Sequence, residues 1–418
     1  MFTKEAERMK VDYPVFIISG GLLLLFIIVG FINQDLVTNV VNVSFDFSVK
    51  YFGGFYQFIL LGTFFIALYL AFSKFGSIKL GKMDKPEMGT FEWISIIMCT
   101  LLVAGGVFWA AAEPLSHFIH TPPYVEGVES GRPEAVVPAL AASFVLAWAI
   151  LGTLGTIVLM YAHYHEGAPL KPRPLLYPIF GEKILKNSAL GSFVDAFSII
   201  SVAAGTIGPI GFLGLQASYG LSDLFNISDT LMMQIFIIVL LVVAAAISAA
   251  SGVHRGIRIL STYNVYLALF LMATLLIIGP TLFITNSYLE SFATYIENFL
   301  TLNTYQGDEA WLSGWTIFFF AWFLGYGPMM VIFVARISRG RTIRQLVTAV
   351  AIVAPVISTF WFTVVGGTGI FQELMNPGVI SGPLNANGPP ATMIAITDQL
   401  PFGTILGFLF IIATIIFV

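Results

Sequence analysis

The sequence predicts an all-α integral membrane protein with ten visible transmembrane helices, and three observations carry that expectation. Of the 418 residues, 57% are hydrophobic and 10% charged, against about 25% charged in soluble domains. Ten apolar runs follow one another with no soluble domain between them, near 13–33, 53–75, 92–112, 136–162, 191–221, 230–251, 260–285, 314–335, 344–371 and 400–418. A bilayer takes about 20 such residues per helix. With a cytoplasmic N-terminus and one crossing per run, 17 of the 19 Lys and Arg residues face the cytoplasm, and only Lys50 and Arg132 fall outside. That asymmetry sets the orientation.

The segment 1–12 carries Lys4, Arg8 and Lys10 and is read as cytoplasmic. The first run is of spanning length and lacks an obvious small-residue cleavage site, which makes it a retained helix rather than a signal peptide. With the second run it forms an N-terminal pair over 13–90, closed by Lys74, Lys79, Lys82 and Lys85. Runs three to seven occupy 91–285, an extracellular connection spans 286–313, and runs eight to ten fill 314–418. The last residues, FLFIIATIIFV, lie inside an apolar run. End groups are costly in hydrocarbon, so one or more further spans are expected. The single cysteine, Cys99, excludes an internal disulfide and is read as a small buried core residue.

Glycine and proline distinguish two runs. The third contains Ala104, Gly105 and Gly106, then Phe108 and Trp109, and ends at Glu113-Pro114. The eighth is interrupted at Gly325-Tyr326-Gly327-Pro328 and stops at Arg336, Arg339, Arg341 and Arg344. Proline removes a backbone donor and glycine weakens a helix. Irregular backbone at membrane depth persists only inside protein or along a cavity. The two breaks are five runs apart and so cross in opposite directions, the pattern of paired broken helices around a transporter's midplane site. The fifth run, with Gly205, Gly208, Gly211, Gly214 and Pro209, is read as a tightly packed helix face from which Thr206 can reach a cavity.

Aromatic residues crowd the eighth run, and Trp148, Trp322 and Tyr326 lie too far from their run ends to be interfacial anchors. Ring faces attract a quaternary ammonium, which has no hydrogen bond to donate. An aromatic cage of Trp148, Trp322, Phe323 and Tyr326 with Trp109 nearby is therefore expected, and the backbone from Ala104 to Gly106 would approach a carboxylate. Glu113 is assigned to gating together with Arg336, Arg339 and Arg341, and Asp195 to a capping or gating pair. His163-Tyr164-His165-Glu166 is read as a solvated loop rather than a metal site. No phosphate loop, nucleophile triad or membrane-embedded His/Asp cluster is present, so neither an enzyme nor a cofactor or metal is expected, and no nucleic-acid partner.

Several stretches resemble the betaine/choline/carnitine transporter (BCCT) family. They include Trp315 to Phe318, Ala321-Trp322, Pro328 and Ala335 to Arg344; Phe108-Trp109 with Glu113 to Leu115; and Ala147 to Ile150. Asp195, Gly205-Thr206, Gly214 to Gln216 and Gly220-Leu221 add to these, as do Trp361-Phe362, Gly366 to Thr368 and Asp398 to Pro401. The resemblance implies twelve helices, with helices three to seven and eight to twelve as inverted five-helix repeats of the LeuT type. It implies a homotrimer in the lipid bilayer of a plasma membrane and a zwitterionic or cationic substrate, of betaine, carnitine or choline type, moved by alternating access.

The sequence also departs from the family's pattern. Of the third helix's three glycines only Gly105 remains, against Leu101 and Val103. The fourth-helix box aligns with Ser143, Trp148 and Leu151, and the eighth helix has Phe323 and Tyr326 beside Trp322. A thinner cage suits a less methylated or bulkier zwitterion. Of two fifth-helix hydroxyl positions that serve sodium in coupled members, one is Val202 and the other Thr206. Met330 stands where sodium-independent members carry Met, and a thioether is a poor ligand for a hard cation. Sodium-independent exchange or uniport is therefore favoured over sodium coupling. The alternatives are a sodium-coupled symporter for a different zwitterion, or a non-transporting sensor or channel-like protein on the same scaffold.

Overall fold

A computed structural model describes residues 11–102, 105–149, 154–186, 188–251 and 256–417. Every extended element among them is helical, and the one β-type pairing is an isolated antiparallel bridge between Lys79 and Thr342. Seven helices are long and apolar enough to cross a membrane, and three shorter apolar helices fall in the third, fourth and tenth runs. The protein is an all-α, multi-pass membrane protein.

Helix α1 (Tyr13–Ile32) starts with Pro14 in its first turn, where the missing N–H costs nothing. It ends at Asn33, whose side chain accepts the Leu36 N–H at 2.9 Å and so opens α2 (Gln34–Phe72). At 39 residues α2 is about 58 Å long by its rise of about 1.5 Å per residue, nearly twice the hydrocarbon thickness of about 30 Å. The apolar run at 53–75 is only its C-terminal half. Its N-terminal half rests through Val49 on Leu312 and Ile317.

The third run is α3 (Thr90–Leu102) and α4 (Ala110–Ile119), joined through a π turn at Gly105–Trp109. The expected break is there, although Ala104 itself lies outside the described residues. The fourth run is divided into α5 (Val136–Ser143), α6 (Leu146–Ala149) and α7 (Thr156–Tyr164). After the short α8 (Tyr177–Phe180), α9 (Ala189–Phe225) begins at a Ser188 cap and ends at left-handed Asn226. Next come α10 (Leu231–Ser251) and α11 (Arg258–Ile278). Gly279-Pro280 stops α11 short of residue 285, and the connection that follows is largely helical: α12 (Thr281–Glu297), α13 (Phe299–Thr304) and α14 (Glu309–Gly314).

The eighth run corrects an expectation. Helix α15 (Thr316–Ile337) runs unbroken through Gly325 to Pro328. Pro328 removes one hydrogen bond, but unwinding the helix in a low-dielectric interior would orphan several more backbone groups. Neighbouring α9 also supports it, since the Ser201 hydroxyl donates to the Gly325 carbonyl at 2.8 Å. The ninth run is α16 (Ile343–Thr348), a π turn at Ala349–Val353 and α17 (Ala354–Met375). The chain continues through α18 (Ser381–Asn387), α19 (Thr392–Asp398) and α20 (Gly403–Phe417).

Apolar side chains of α1, α2 and α10, such as Phe31, Phe58 and Phe236, point outward, as lipid-facing helices require. Helix α17 is the opposite, buried along most of its length and packed on α4. Glycine makes that approach possible: a Cβ on Gly366 would lie 2.5 Å from Pro114 Cβ and Cγ and 2.9 Å from the Ala110 carbonyl oxygen. Pro114 leaves that carbonyl without its helical donor, so the kink and the glycine fit one another.

Gly366→Ala is expected to destabilise the protein by about 1–3 kcal/mol through overpacking. The neighbouring Gly367→Ala, whose Cβ would meet only Thr363 Cγ2 at 3.5 Å, should change stability by less than about 0.5 kcal/mol. Unfolding curves in detergent micelles compare the two. A second expectation concerns Asp398 at the end of α19, whose carboxyl is pushed from 3.8 up to about 6, first by lost hydration and then by the nearby Asp223 carboxylate. A raised folded-state value favours the protonated form, so this contribution is complete below about 3.8 and is lost as pH rises through about 6. Asp398→Asn should flatten the decline of melting temperature over that window.

Candidate functional site

Helices α9 and α15 meet along small residues. A Cβ on Gly205 would lie 3.3 Å from Tyr326 Cβ, so glycine there lets the aromatic face of α15 come close. Pro209, four residues on, has no N–H to give to the Gly205 carbonyl. The Trp322 indole supplies the missing donor, with Nε1 2.8 Å from that oxygen. A backbone group freed inside α9 thus fixes the orientation of one ring on α15. Beside this ring is a cavity of about 340 Å³, and Ser201, Gly208, Phe212, Phe318, Trp322 and, from α2, Phe45 contribute to its wall. No charged side chain lines it. Ring faces with one hydroxyl and no counter-ion suit a cation that cannot donate hydrogen bonds.

The structure brings some predicted site residues together and not others. Trp322 lies 5.9 Å from Phe318, 6.2 Å from Phe319 and 5.5 Å from Phe323, ring centre to ring centre. Trp109 reaches the same cluster through Phe319 at 5.2 Å and Phe212 at 5.6 Å. Phe323 and Tyr326 are buried, and the Tyr326 hydroxyl donates to the Thr100 carbonyl at 3.4 Å. Trp148 does not join this cluster among the described ring contacts; it stacks on Tyr295 at 5.0 Å and meets Phe299 edge-on at 5.7 Å. The shift follows from the helical connection at 286–313, which places aromatic side chains against the fourth run.

At the π turn the Gly106 carbonyl accepts a hydrogen bond from the Trp361 indole on α17. Gly105 belongs to the same turn. The Thr206 hydroxyl turns back on its own helix, donating to the Val202 and Ala203 carbonyls at 2.7 and 3.1 Å. Met330 is buried within α15.

Glu113 and the arginines sit apart. Glu113 is buried on α4 with His117, Oε1 to Nε2 3.6 Å, and none of its described ion pairs involves an arginine. Arg339 pairs with Glu87 at 2.8 Å and lies over the Tyr164 ring at 4.8 Å. Arg341 lies over Trp93 at 4.6 Å and donates to the Met88 carbonyl at 2.8 Å and the Thr90 hydroxyl at 3.0 Å. Arg336 is exposed. Asp195 binds Arg173 through both backbone and side chain, at 2.8 and 2.7 Å, and Arg173 reaches on to Asp12 at 2.9 Å. Sequence reasoning did not single out Phe45, Phe212 or Trp361 as parts of these contacts. The spacing of Pro209 from Gly205 was the available signal that an outside donor must approach there.

A model of the BCCT, betaine/carnitine/choline family transporter, matches residues 14–418. The chain belongs to this transporter family. It is 49% identical over 416 residues to glycine betaine transporter 2 of Vibrio parahaemolyticus, covering 99% of this chain and 77% of that protein. The ectoine/hydroxyectoine transporter of Virgibacillus pantothenticus is 33% identical over 415 residues, with 96% and 80% covered. The high-affinity choline transport protein of Escherichia coli K12 is 34% identical over 374 residues, 88% of this chain and 54% of that protein.

In this BCCT member the indole bond has a direct thermodynamic test. Trp322→Phe should cost about 1 kcal/mol by leaving the Gly205 carbonyl unmatched. Pro209→Ala restores the helical donor, so the same Trp322→Phe change should cost less in that background. A double-mutant cycle of unfolding free energies in detergent measures the difference.

Proposed function

We propose that this transporter carries a quaternary-ammonium or related zwitterionic osmolyte, of betaine type, across the plasma membrane by alternating access. The observation that carries the reading is the uncharged, aromatic-walled 340 Å³ cavity with Trp322 held in its wall. Relatives named for glycine betaine, ectoine and choline point to the same chemical class. Phe318, Phe323 and Tyr326 would complete the ammonium site with Trp322, and Trp109 would border it. The backbone of the π turn at Gly105–Trp109 would approach a carboxylate beside the same cluster.

In this reading the N-terminus is cytoplasmic, which the Lys and Arg distribution supports. Inverted five-helix repeats and a homotrimer belong to the same reading. Transport proceeds without sodium: the Thr206 hydroxyl is occupied by its own helix, and Met330 offers a thioether in place of oxygen.

The test is substrate counterflow in liposomes across glycine betaine, choline, carnitine and ectoine, with and without sodium. Trp322→Ala should lower the flux of the preferred solute about tenfold, equal to about 1.4 kcal/mol of lost cation–π attraction and packing. Wild-type rates in that variant would remove Trp322 from the site, and flux that vanishes without sodium would replace exchange or uniport with symport.

A further inference from the structure

Two buried polar side chains just beyond the π turn of the third run, Glu113 and His117, have no part in the ammonium site. Glu113 and His117 occupy one face of α4, four residues apart, each about 1% exposed. Glu113 Oε2 and His117 Nε2 have no hydrogen-bond partner, and neither do Trp109 Nε1, Tyr124 Oη or Trp311 Nε1. Aromatic rings enclose the pair. Trp315 covers His117 at 4.4 Å and Trp311 at 5.7 Å, and Tyr124 closes on Trp311 at 5.4 Å. A bare carboxylate in such a chamber is costly. The imidazole 3.6 Å away is the one described cationic partner within ion-pair reach.

Among the described residues no other ion pair reaches Glu113 or His117. Helices α5 and α18 carry no titratable residue, and α19 has only Asp398 at its far end. On α17, Glu373 is committed to the Gly378, Ile380 and Ser381 N–H groups and the Ser381 hydroxyl. Arg132 is exposed and paired with Glu129, Glu309 of α14 is exposed, and the Asp308 carboxylate caps α14 by accepting the Trp311 N–H at 2.7 Å. The tyrosines Tyr124, Tyr295 and Tyr305 are further titratable neighbours, with Tyr124 and Tyr305 in edge contact at 5.3 Å.

We propose that Glu113 and His117 form a proton-binding pair that takes up one proton from the extracellular solution as Trp311 and Trp315 close over it. With one proton between them the pair is neutral, as Glu⁻/HisH⁺ or GluH/His, and can be enclosed. Without that proton it carries a net negative charge and holds water, which keeps the rings apart. Closing the outer gate is thus linked to external proton concentration. The link to flux rests on the transport reading above, whereas the proton pair itself does not.

Tryptophan emission and solute flux are measured on the protein in liposomes as external pH is varied between about 5 and 8, the range in which an imidazole-containing pair titrates. Emission of the wild type should titrate, and betaine flux should fall about fivefold or more towards the alkaline end. Glu113→Gln and His117→Gln should each abolish the emission titration and flatten the flux profile. Either variant suffices if the other fails to fold. An emission titration that persists in both folded variants overturns the proposal. Absence of betaine flux with the titration intact and Glu113-dependent would instead overturn the transport reading and support the pair.

Discussion

Inside a bilayer every backbone carbonyl that loses its helical donor must find another, and this constraint organises the interior of the protein. Water cannot serve at that depth, and an unsatisfied group costs several kcal/mol. Pro209 frees the Gly205 carbonyl, and the Trp322 indole takes it. The π turn loosens the ladder at Gly106, and the Trp361 indole donates there. Near Pro328, whose missing N–H deprives the Leu324 carbonyl, the Ser201 hydroxyl bonds the adjacent Gly325 carbonyl. Each local defect in one helix is thereby tied to a side chain on another, so helix irregularity becomes a means of fixing where helices and rings lie.

The two indole bonds differ in what they join. Trp322 links α15 to α9, whereas Trp361 links α17 to the irregular part of the third run. Glycine makes both approaches feasible, with Gly205 facing Tyr326 and Gly366 receiving Pro114. An indole held by its N–H still presents both faces. A pinned Trp can therefore line a cavity with little freedom left to lose on binding, which is how a preorganised site retains affinity.

The apolar runs made most of the fold legible, because a bilayer admits few solutions for a run of about 20 apolar residues. What they did not show was set by tertiary partners. The N-terminal half of α2 is polar enough to escape a hydropathy reading, yet Asn33 caps it and Val49 anchors it. The continuity of α15 depends on α9, which no local reading of Gly325 to Pro328 contains. Trp322 and Phe323 are in ring contact, and Trp109 joins them through Phe319, because α15 and the third run pack together. Trp148 could be assigned to that region only by ignoring the helices between 281 and 314, whose Tyr295 and Phe299 meet it first.

The two ends of the molecule are held by different physics. On the side bearing most Lys and Arg residues, backbone bonds join 78–80 to 340–343: Leu80 N–H to the Arg341 carbonyl at 2.8 Å, Gly340 N–H to Leu80 at 2.7 Å and Ile343 N–H to Ile78 at 3.0 Å. Gly340, at φ +78°, makes the turn where a side chain would strike the Lys85 backbone. Arg341 then spans Trp93, Met88 and Thr90. These contacts connect α15 to the start of the third run through fixed charges that do not titrate near neutral pH. At the opposite end of the same run, Glu113 and His117 sit under indoles with no fixed charge to hold them. The third run is thus held by arginine contacts at one end and by aromatic enclosure of Glu113 and His117 at the other.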